Sequence, residues 1–537
     1  MSPVETLQEP VAKRVRHTLP TWLGPWGLAL FFGLWGLRGV TTSDIVYADA
    51  ARHAMNGVFV RDMLANGQWM DPLSYGKFYY AHLPALSIPF HPPLFPVVES
   101  LFFMVFGVNL LAARLAIAVA TVAAFLLLIR FLVATGLPRS AALAAVAAFG
   151  SLGLTQDVAG DVMLEFPSLV LAAAALYCLR DIGDGLGMQR GILFALFAAA
   201  AVWTKQHTVF LGLMPFVYAI AARRWRIILS PALWVSSGIL AAGIFAFFAL
   251  SQQVRGTGFD QVATRGDWIL WSVTNNLRFY SEALVRILGL VPALALAAAF
   301  AWALFPVRGA RNTGIDLSLA WIVSYALLLL WLGPFDERYL FYLFPPMFAV
   351  GFAAAWRLSA KLVPDSYVWT VPTTLGALCF GLGLTLPPQY LRGPMQAARV
   401  LVSGAPERIL YCGTTVNGPF IFAVRTLDPQ LRTIVLNADK FDEQYFEPAA
   451  LEKIAQRYGI THVVVEYSER DPHWEALRAR PPASMILERE IPVASSHRTW
   501  NGSLRIFRLA NTATHPEQDV TLDIPKIGGG IDLSLKR

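Results

Sequence analysis

Residues 21–64 carry the pattern on which the fold depends. The apolar run TWLGPWGLALFFGLWGLRGV (residues 21–40) is followed closely by the mixed stretch YADAARHAMNGVFVRDML (residues 47–64). The run has about the 20 residues that a helix needs to cross a membrane. In the second stretch Asp49, Arg52, His53 and Asn56 are spaced i, i+3, i+4 and i+7, which places them on one helix face. The pattern predicts a membrane span that leads into an amphipathic helix at the outer surface.

The composition extends this interpretation to the whole chain. Of the 537 residues 56% are hydrophobic and 15% are charged, and the mean hydropathy is +0.51. Repeated apolar runs of near-spanning length indicate a membrane protein and exclude a soluble one. We attribute the net charge of +7 to cytoplasmic Lys and Arg. No basic patch carries interleaved aromatic residues, so we expect no nucleic-acid partner.

Apolar segments recur along the first 390 residues, and the positive-inside rule decides which of them span. The segment HPPLFPVVESLFFMVFG (residues 91–107) is short, starts among prolines and carries Glu99, which favours an interfacial or re-entrant helix. Leaving it out of the count puts the RRWR sequence (residues 223–226) and the other short basic loops inside. We therefore predict a polytopic α-helical membrane protein of about 11 spans, with a cytoplasmic segment 1–21 and a large first outer loop 41–111. The predicted spans are residues 22–40, 112–134, 139–154, 165–180, 190–203, 208–222, 229–250, 284–305, 317–333, 339–357 and 367–386.

The chain changes character after about residue 393. RILYCG, PFIFAVRTL, LRTIVLN, THVVVEY and SLRIFRL have the composition of strands, and EPAALEKIAQRYG reads as a helix that ends at Gly459. We predict a small extracytoplasmic α/β domain over residues 393–510 and a loose tail over residues 511–537. The three cysteines form no CxxC or His/Cys cluster, so we expect neither a disulfide framework nor a zinc site.

Acids are concentrated in two predicted outer loops. Asp44 and Asp49 lie in the first loop, and Asp161 and Glu165 lie in TQDVAGDVMLEFPSL. Acids close to the bilayer are costly and are usually kept for function, and a carboxylate can take a proton from an acceptor hydroxyl. Two alternatives stay open: a solvated face on an interfacial helix for Asp49, and a favourable helix dipole for Glu165.

Cations lie at the ends of later spans. WTKQHTVF places Lys205 in a very short outer turn, and FDERYLFYLFPP places Arg338 and Tyr339 at the start of a span. At headgroup level such side chains suit a lipid-linked phosphate, and His91 before the double proline is a further candidate. The alternatives are cations that snorkel to lipid headgroups and a histidine with a structural role.

Taken together, these pieces resemble the GT-C superfamily of membrane glycosyltransferases, in particular the bacterial protein O-mannosyltransferase and lipid A aminoarabinose transferase group. The resemblance covers roughly residues 20–360 and makes residues 22–390 a GT-C-like catalytic domain. The motifs that carry it are YADAARHAM, MLANGQW, HPPLFP, FGVNLLAARL, EFP, WTKQ and RYLFYLFPP, in this order.

The resemblance implies roles for individual residues. The first-loop acid is the catalytic base or orients the acceptor, a role that carries over to Asp49. This chain departs from the family pattern in three ways: Ala50 follows Asp49, Glu165 replaces the aspartate before x-Pro, and His91 replaces a lysine. These departures leave the exact base open and leave a divalent metal open as a cofactor, where none is otherwise indicated. The implied site comprises the catalytic candidates Asp49, Asp44 and Glu165, the phosphate-binding candidates Lys205, Arg338 and His91, and the supporting residues Arg52, His53, Asp161 and Tyr339.

The implied reaction transfers a sugar from a polyprenyl-phosphate donor to an extracytoplasmic protein, lipid or glycan, with inversion. The implied location is the cell inner membrane, with the active site and C-terminal domain on the periplasmic or extracellular side. Two other classes stay open: a transporter or flippase of lipid-linked sugars, and a non-catalytic membrane scaffold. Clustering of Asp49, Glu165, Lys205 and Arg338 would favour the enzyme, and scattering would favour the scaffold.

Overall fold

The computed structural model describes most of the chain. The described residues are 23–252, 269–304, 313–331, 335–402, 406–441, 447–469, 474–510, 516–524 and 529–536. Of these residues, those before about residue 390 are mainly helical, and those after it form a mixed domain built on a sheet. The predicted cytoplasmic segment 1–21 lies outside the described residues.

Helices in the first part of the chain follow the apolar pattern. Five of them are long and apolar enough to cross a membrane within the described residues: Leu110–Ala134, Glu165–Asp184, Pro231–Gln252, Thr313–Trp331 and Asp365–Leu384. Two bent pairs pass the same test together, Arg139–Ser151 with Gly153–Ala159 (74°) and Val273–Leu288 with Leu290–Leu304 (116°). The helices are α1 (Leu23–Trp35), α2 (Ala48–Ala65), α3 (Pro72–His82), α4 (Leu94–Phe106), α5 (Leu110–Ala134), α6 (Arg139–Ser151), α7 (Gly153–Ala159), α8 (Glu165–Cys178), α9 (Met188–Val202), α10 (Met214–Ala221), α11 (Trp225–Ile228), α12 (Pro231–Gln252), α13 (Ile269–Leu288), α14 (Leu290–Leu304), α15 (Thr313–Trp331), α16 (Phe344–Leu362) and α17 (Thr370–Leu384).

Each of the eleven predicted spans contains a helix, but several of these helices are short. α1, α9 and α10 have fewer residues than an independent span needs. The multi-pass membrane architecture follows from the long helices, whereas the count of eleven spans stays a prediction.

The first long loop between α1 and α5 folds into three helices. A helix over the predicted stretch is confirmed as α2, and it packs lengthwise on α4. Its predicted polar face is largely buried, since His53 and Asn56 are only 5% and 0% exposed. Gly57 of α2 permits this approach, since a Cβ there would stand 2.4 Å from the Oε2 of Glu99. The opposite side of α4 exposes apolar residues, among them Leu101 and Val105. α4 thus joins α2 to the helical bundle.

The C-terminal domain is a mixed sheet with helices on both faces. Its strands are β1 (Leu391–Arg392), β2 (Arg408–Cys412), β3 (Ile434–Asn437), β4 (His462–Ser468), β5 (Met485–Ser495) and β6 (Gly502–Leu509), in the order β1-β5-β6-β4-β2-β3. β2, β3 and β4 are parallel, whereas β5 and β6 are antiparallel to their neighbours. Its helices are α18 (Pro394–Leu401), α19 (Asn417–Leu427), α20 (Pro448–Tyr458) and α21 (Glu475–Ala479). α20 ends, as predicted, at Gly459, whose φ of +64° suits a glycine cap.

Two sequence predictions in this region were wrong. PFIFAVRTL belongs to helix α19 and not to a strand, because it packs all round between the sheet and α2 and so shows no helical periodicity. The predicted loose tail contains an antiparallel hairpin, β7 (Asp519–Ile524) with β8 (Gly529–Ser534). Val520, Leu522 and Leu533 of these two strands are buried in the core on the far face of the sheet, and this burial holds the two strands in place.

Small residues bring α6 and α17 into close contact. A Cβ on Gly376 would stand 2.7 Å from the Cβ of Ala144, and one on Gly383 would stand 2.8 Å from the carbonyl oxygen of Ser151. Both pairs are seven residues apart on their helices, so they form one seam of small residues, as in other membrane helix pairs.

We predict that Gly383→Ala destabilises the protein by about 1–3 kcal/mol, because the new methyl group meets backbone that cannot yield. Gly381→Ala on the same helix is the matched control, since within the described residues no atom outside its own helix backbone lies within 4 Å of its Cβ position. Thermal unfolding in detergent, followed by size-exclusion of the folded fraction, measures the difference. Equal midpoints for the two variants would contradict the seam.

Candidate functional site

Asp49 lies in the first turn of α2, where the helix meets the membrane bundle. Its Oδ1 accepts a hydrogen bond from Arg52 Nη1 one turn later (3.2 Å), and its Oδ2 accepts one from Arg338 Nη2 (3.2 Å). The side chain is 35% exposed, so a substrate can still reach the carboxylate. The predicted helix face therefore does present its acid to a cation from a distant part of the chain.

Arg338 is positioned by its own turn. It lies in the 3₁₀ segment Glu337–Tyr342, and Asp336 caps this segment by accepting the Arg338 backbone N–H at 2.8 Å. The second Asp336 oxygen accepts Nε (2.9 Å) and Nη2 (2.6 Å) of the same guanidinium. The remaining nitrogen, Nη1, has the sulfur of Met163 at 3.9 Å as its contact within the described residues. Asp336 therefore fixes the plane of the guanidinium, while Nη1 makes only the weak contact with the Met163 sulfur within the described residues.

Glu165 and Lys205 form a second ion pair beside the first. Lys205 Nζ donates to Glu165 Oε1 at 2.5 Å, and the two side chains are only 12% and 1% exposed. Glu165 opens α8, and Lys205 directly precedes the 3₁₀ segment Gln206–Gly212. Each member of the pair therefore lies at the start of a helical segment of the bundle, Glu165 at the start of α8 and Lys205 just before the 3₁₀ segment.

Three histidines line the space between these pairs. The rings of His53 and His91 meet edge to face at 4.5 Å, and His207 lies 4.4 Å from the ring of Tyr339. Burial lowers the pKa of His53 and of His207 well below 6.5, and the positive charges of Lys205 and Arg338 lower both further. Both imidazoles are therefore neutral at physiological pH.

The charge state of Asp49 follows from its neighbours. Burial alone would raise the pKa of this carboxyl, but the positive charge of Arg338, with a smaller contribution from Arg52, holds the pKa far below its usual range. Asp336, with Asp49 and Glu165, in turn keeps the pKa of Arg338 above its usual value despite burial. Asp49 is a carboxylate throughout the physiological range.

Asp44 and Asp161, also predicted for the site, have other partners. Asp44 accepts from the backbone N–H of Met395 at 3.2 Å, and burial raises its pKa to about 6. Asp161 is fully buried and accepts from Val46 N (3.0 Å) and Tyr47 N (2.9 Å), the residues that lead into α2. Asp44 therefore ties down the C-terminal domain, and Asp161 supports the start of the Asp49 helix.

Sequence reasoning gave no role to Asp336, although it lies within a quoted motif, and it placed His207 beside Lys205 in the outer turn without including it in the site. Asp336 stands two residues before Arg338 in FDERYL, and this spacing is the signal that was available for a cap that also binds the guanidinium. Within the described residues no group of three or more His, Cys, Asp or Glu side chains is arranged to hold a metal ion.

Comparison with known proteins places this geometry in context. A family model described as dolichyl-phosphate-mannose-protein mannosyltransferase matches residues 90–250. No curated protein sequence matches the chain.

Solved structures share the fold. ArnT from Cupriavidus metallidurans bound to undecaprenyl phosphate matches with a TM-score of 0.55 and 14% identity, over 92% of this chain and 99% of that chain. The apo form of the same ArnT gives 0.57 and 14%, over 90% and 97%. The archaeal oligosaccharyltransferase AglB from Archaeoglobus fulgidus, in complex with an inhibitory peptide and a dolichol-phosphate, gives 0.51 and 13%, over 83% and 69%. The resemblance to the GT-C membrane glycosyltransferases is thus confirmed for the fold.

We predict a pH dependence of stability from the buried histidines. Unfolded histidine binds a proton below about pH 6.5 and folded His53 does not, so stability falls as the pH drops through this range. His53→Gln should therefore lose less thermal stability than the wild type between about pH 7.5 and pH 5. Met55→Leu, which replaces a buried side chain of the same helix that does not titrate, is the control and should keep the wild-type slope. Parallel slopes in all three proteins would contradict a neutral, buried His53.

Proposed function

We propose that this protein is an integral-membrane glycosyltransferase that moves a sugar from a polyprenyl-phosphate donor to a hydroxyl of an extracytoplasmic acceptor. The observation that carries the proposal is the contact between Asp49 and Arg338 beside the Glu165–Lys205 pair. It puts a partly exposed carboxylate and two cations within one small region. A base and a phosphate clamp are the two parts that such a transfer requires.

The two cations retain donors for a phosphate. Lys205 uses one of its three N–H bonds on Glu165, and Arg338 Nη1 touches only the Met163 sulfur within the described residues. A phosphate between them would accept charge-assisted hydrogen bonds from both. The ring of His91 packs against the ring of His53 at 4.5 Å, and a positive charge on His91 would lower the pKa of Asp49.

An apolar groove lined in part by the 3₁₀ segment that follows Lys205 suits the polyprenyl chain. It has a volume of about 570 Å³. Leu213, Leu327 and Trp331 are 47%, 44% and 56% exposed, so the groove is open along one side. An isoprenoid chain in this groove would gain about 25 cal/mol for each Å² of apolar surface removed from water. The lining includes Phe194, Phe210, Leu213, Leu240, Leu327 and Trp331.

The proposed reaction is a single displacement. The acceptor hydroxyl gives its proton to Asp49 as its oxygen bonds to the anomeric carbon of the donor sugar. The bond from that carbon to the phosphate oxygen breaks, and the polyprenyl phosphate leaves with the electron pair. Lys205 and Arg338 stabilise the charge that develops on the phosphate. Attack from the face opposite the phosphate inverts the configuration.

Glu165 and Asp336 orient the clamp in this scheme. Each holds one cation in place, Glu165 through Lys205 Nζ and Asp336 through the guanidinium of Arg338. Arg52, His53 and Tyr339 border the same space and complete the proposed site. We place the site on the periplasmic or extracellular side of the inner membrane, on the basis of the basic loops.

We expect Asp49→Asn to lower sugar transfer by about 10²- to 10⁴-fold, because the amide cannot accept the proton. Transfer of labelled sugar from polyprenyl-phosphate donors in membranes measures the change. Asp71→Asn, in the same long loop but fully exposed, is the control and should keep wild-type activity. A fully active, well-folded Asp49→Asn protein would disprove the proposed base, and movement of the lipid-linked sugar across the bilayer without transfer would favour the transporter.

We expect Arg338→Lys to raise the donor KM by about 10- to 100-fold, since lysine keeps the charge but loses the planar fork. Arg286→Lys is the matched control, because Arg286 pairs with Glu337, the residue next to Arg338. Its side chain is exposed, so its replacement should leave the donor KM unchanged. An unchanged donor KM in Arg338→Lys would place the phosphate elsewhere.

A further inference from the structure

The last turn of α2 carries a buried ion pair with the C-terminal domain. Asp62 accepts from Arg425 Nη2 at 2.8 Å and from Arg425 Nε at 2.9 Å, and each side chain is only 2% exposed. Tyr79 of α3 donates to the same carboxylate at 2.9 Å, and Arg61 donates at 2.8 Å. The carboxylate is therefore surrounded by donors from three helices.

This pair is costly to separate. Opening it would leave two charges without partners in a region from which water is excluded. Removing one partner of such a pair is far more unfavourable than replacing both partners by apolar side chains. The forked geometry of Arg425 also fixes the direction of its helix relative to Asp62, because both nitrogens must reach the same carboxylate. The contact is therefore both stable and directional.

The first turn of α2 touches the same helix, α19. A Cβ on Gly418 would stand 3.0 Å from the Cβ of Ala51 and 3.3 Å from the carbonyl oxygen of Ala48. Gly418 begins α19 and Arg425 stands near its end, so α19 runs alongside α2 from the Asp49 turn to the Asp62 turn. Ala50 and Phe420 belong to one continuous hydrophobic core that joins the two parts of the chain.

We infer that the C-terminal α/β domain is part of the catalytic unit, and that Arg425 and Asp62 are positioning residues for Asp49. The inference rests on the proposed function of Asp49. Thirteen residues separate Asp49 from Asp62, about 20 Å of helix, so a tilt of α2 at one end displaces the carboxylate at the other. A displacement of about 1 Å at reacting atoms is enough to lower a rate about 100-fold.

The same contacts indicate that the C-terminal domain stays docked on α2 during turnover. A lid that opens in each cycle would have to expose the Asp62–Arg425 pair and the Gly418 contact together. The domain instead supplies a rigid wall along the helix that bears the base. The donor clamp lies on other elements, since Lys205 and Arg338 belong to turns of the membrane bundle.

A reversible cross-link tests whether the domain must move. Ala51→Cys together with Gly418→Cys places two thiols at the contact, and a shift of under 1 Å brings the Cβ atoms to disulfide distance. The oxidised double variant should transfer sugar at the rate of its reduced form, and each single variant controls for the substitutions. Loss of transfer on oxidation, with recovery on reduction, would overturn the docked arrangement.

Substitution of the ion pair tests positioning. Arg425→Met and Asp62→Leu should each lower kcat about 10- to 100-fold in the folded fraction while the donor KM stays unchanged. The triple variant Asp62→Leu, Arg425→Met and Tyr79→Phe replaces the pair and the hydroxyl that donates to it by apolar side chains. It should regain most of kcat, because neither a buried charge nor a buried hydroxyl is left without a partner. Arg457→Met is the matched control, since Arg457 and Glu517 form an ion pair in the same domain at 57% and 52% exposure.

The outcomes distinguish a failure of the positioning role from a failure of the proposed function. An active wild type whose kcat survives both single substitutions overturns the positioning role alone. A fall in donor affinity at unchanged kcat also overturns it, because the phosphate clamp would then be the part that moved. A folded wild type that transfers sugar from no polyprenyl-phosphate donor overturns the proposed function and removes the positioning role with it.

Discussion

The contact between Asp49 and Arg338 is the interaction on which the rest of the site depends. It joins an acid from the first long loop to a cation from a turn almost 300 residues later, and neither is held by this contact alone. Arg52 supports the carboxylate from its own helix, and Asp336 fixes the guanidinium from its own turn. Because both partners are oriented before they meet, the geometry survives partial exposure to water, where a single surface ion pair would contribute little.

Charge balance explains why so many ionisable groups tolerate this location. Three acids, Asp49, Glu165 and Asp336, face three cations, Arg52, Lys205 and Arg338, and the buried histidines nearby stay neutral. An incoming phosphate adds negative charge and would compete with the acids for the same donors. In the proposed reaction this competition would weaken the hold of Arg338 on Asp49 and so raise the basicity of that carboxylate when the donor is in place.

The Asp49 helix is held by both halves of the molecule. Asp161 of the membrane bundle accepts from the backbone just before the helix begins, and Arg425 of the C-terminal domain binds the acid in its last turn. Between these points the helix packs against both α4 and α19. This double attachment explains why one hydrophobic core runs from the bundle into the near face of the sheet. The far face has a separate core, which the C-terminal hairpin helps to cover.

From local patterns alone, the sequence predicted the membrane class, the helix α2, the three parallel strands β2, β3 and β4, and the antiparallel strand β6, because these depend on local periodicity. It also singled out Asp49, Glu165, Lys205 and Arg338, since acids and cations are conspicuous in an apolar chain. The tertiary fold alone showed which acid pairs with which cation, and it separated Asp44 and Asp161 from the cluster. It also turned PFIFAVRTL into a helix and the tail into a hairpin. The physical reason is that ion pairing and burial depend on contacts between distant segments, such as Asp62 with Arg425, that no local pattern encodes.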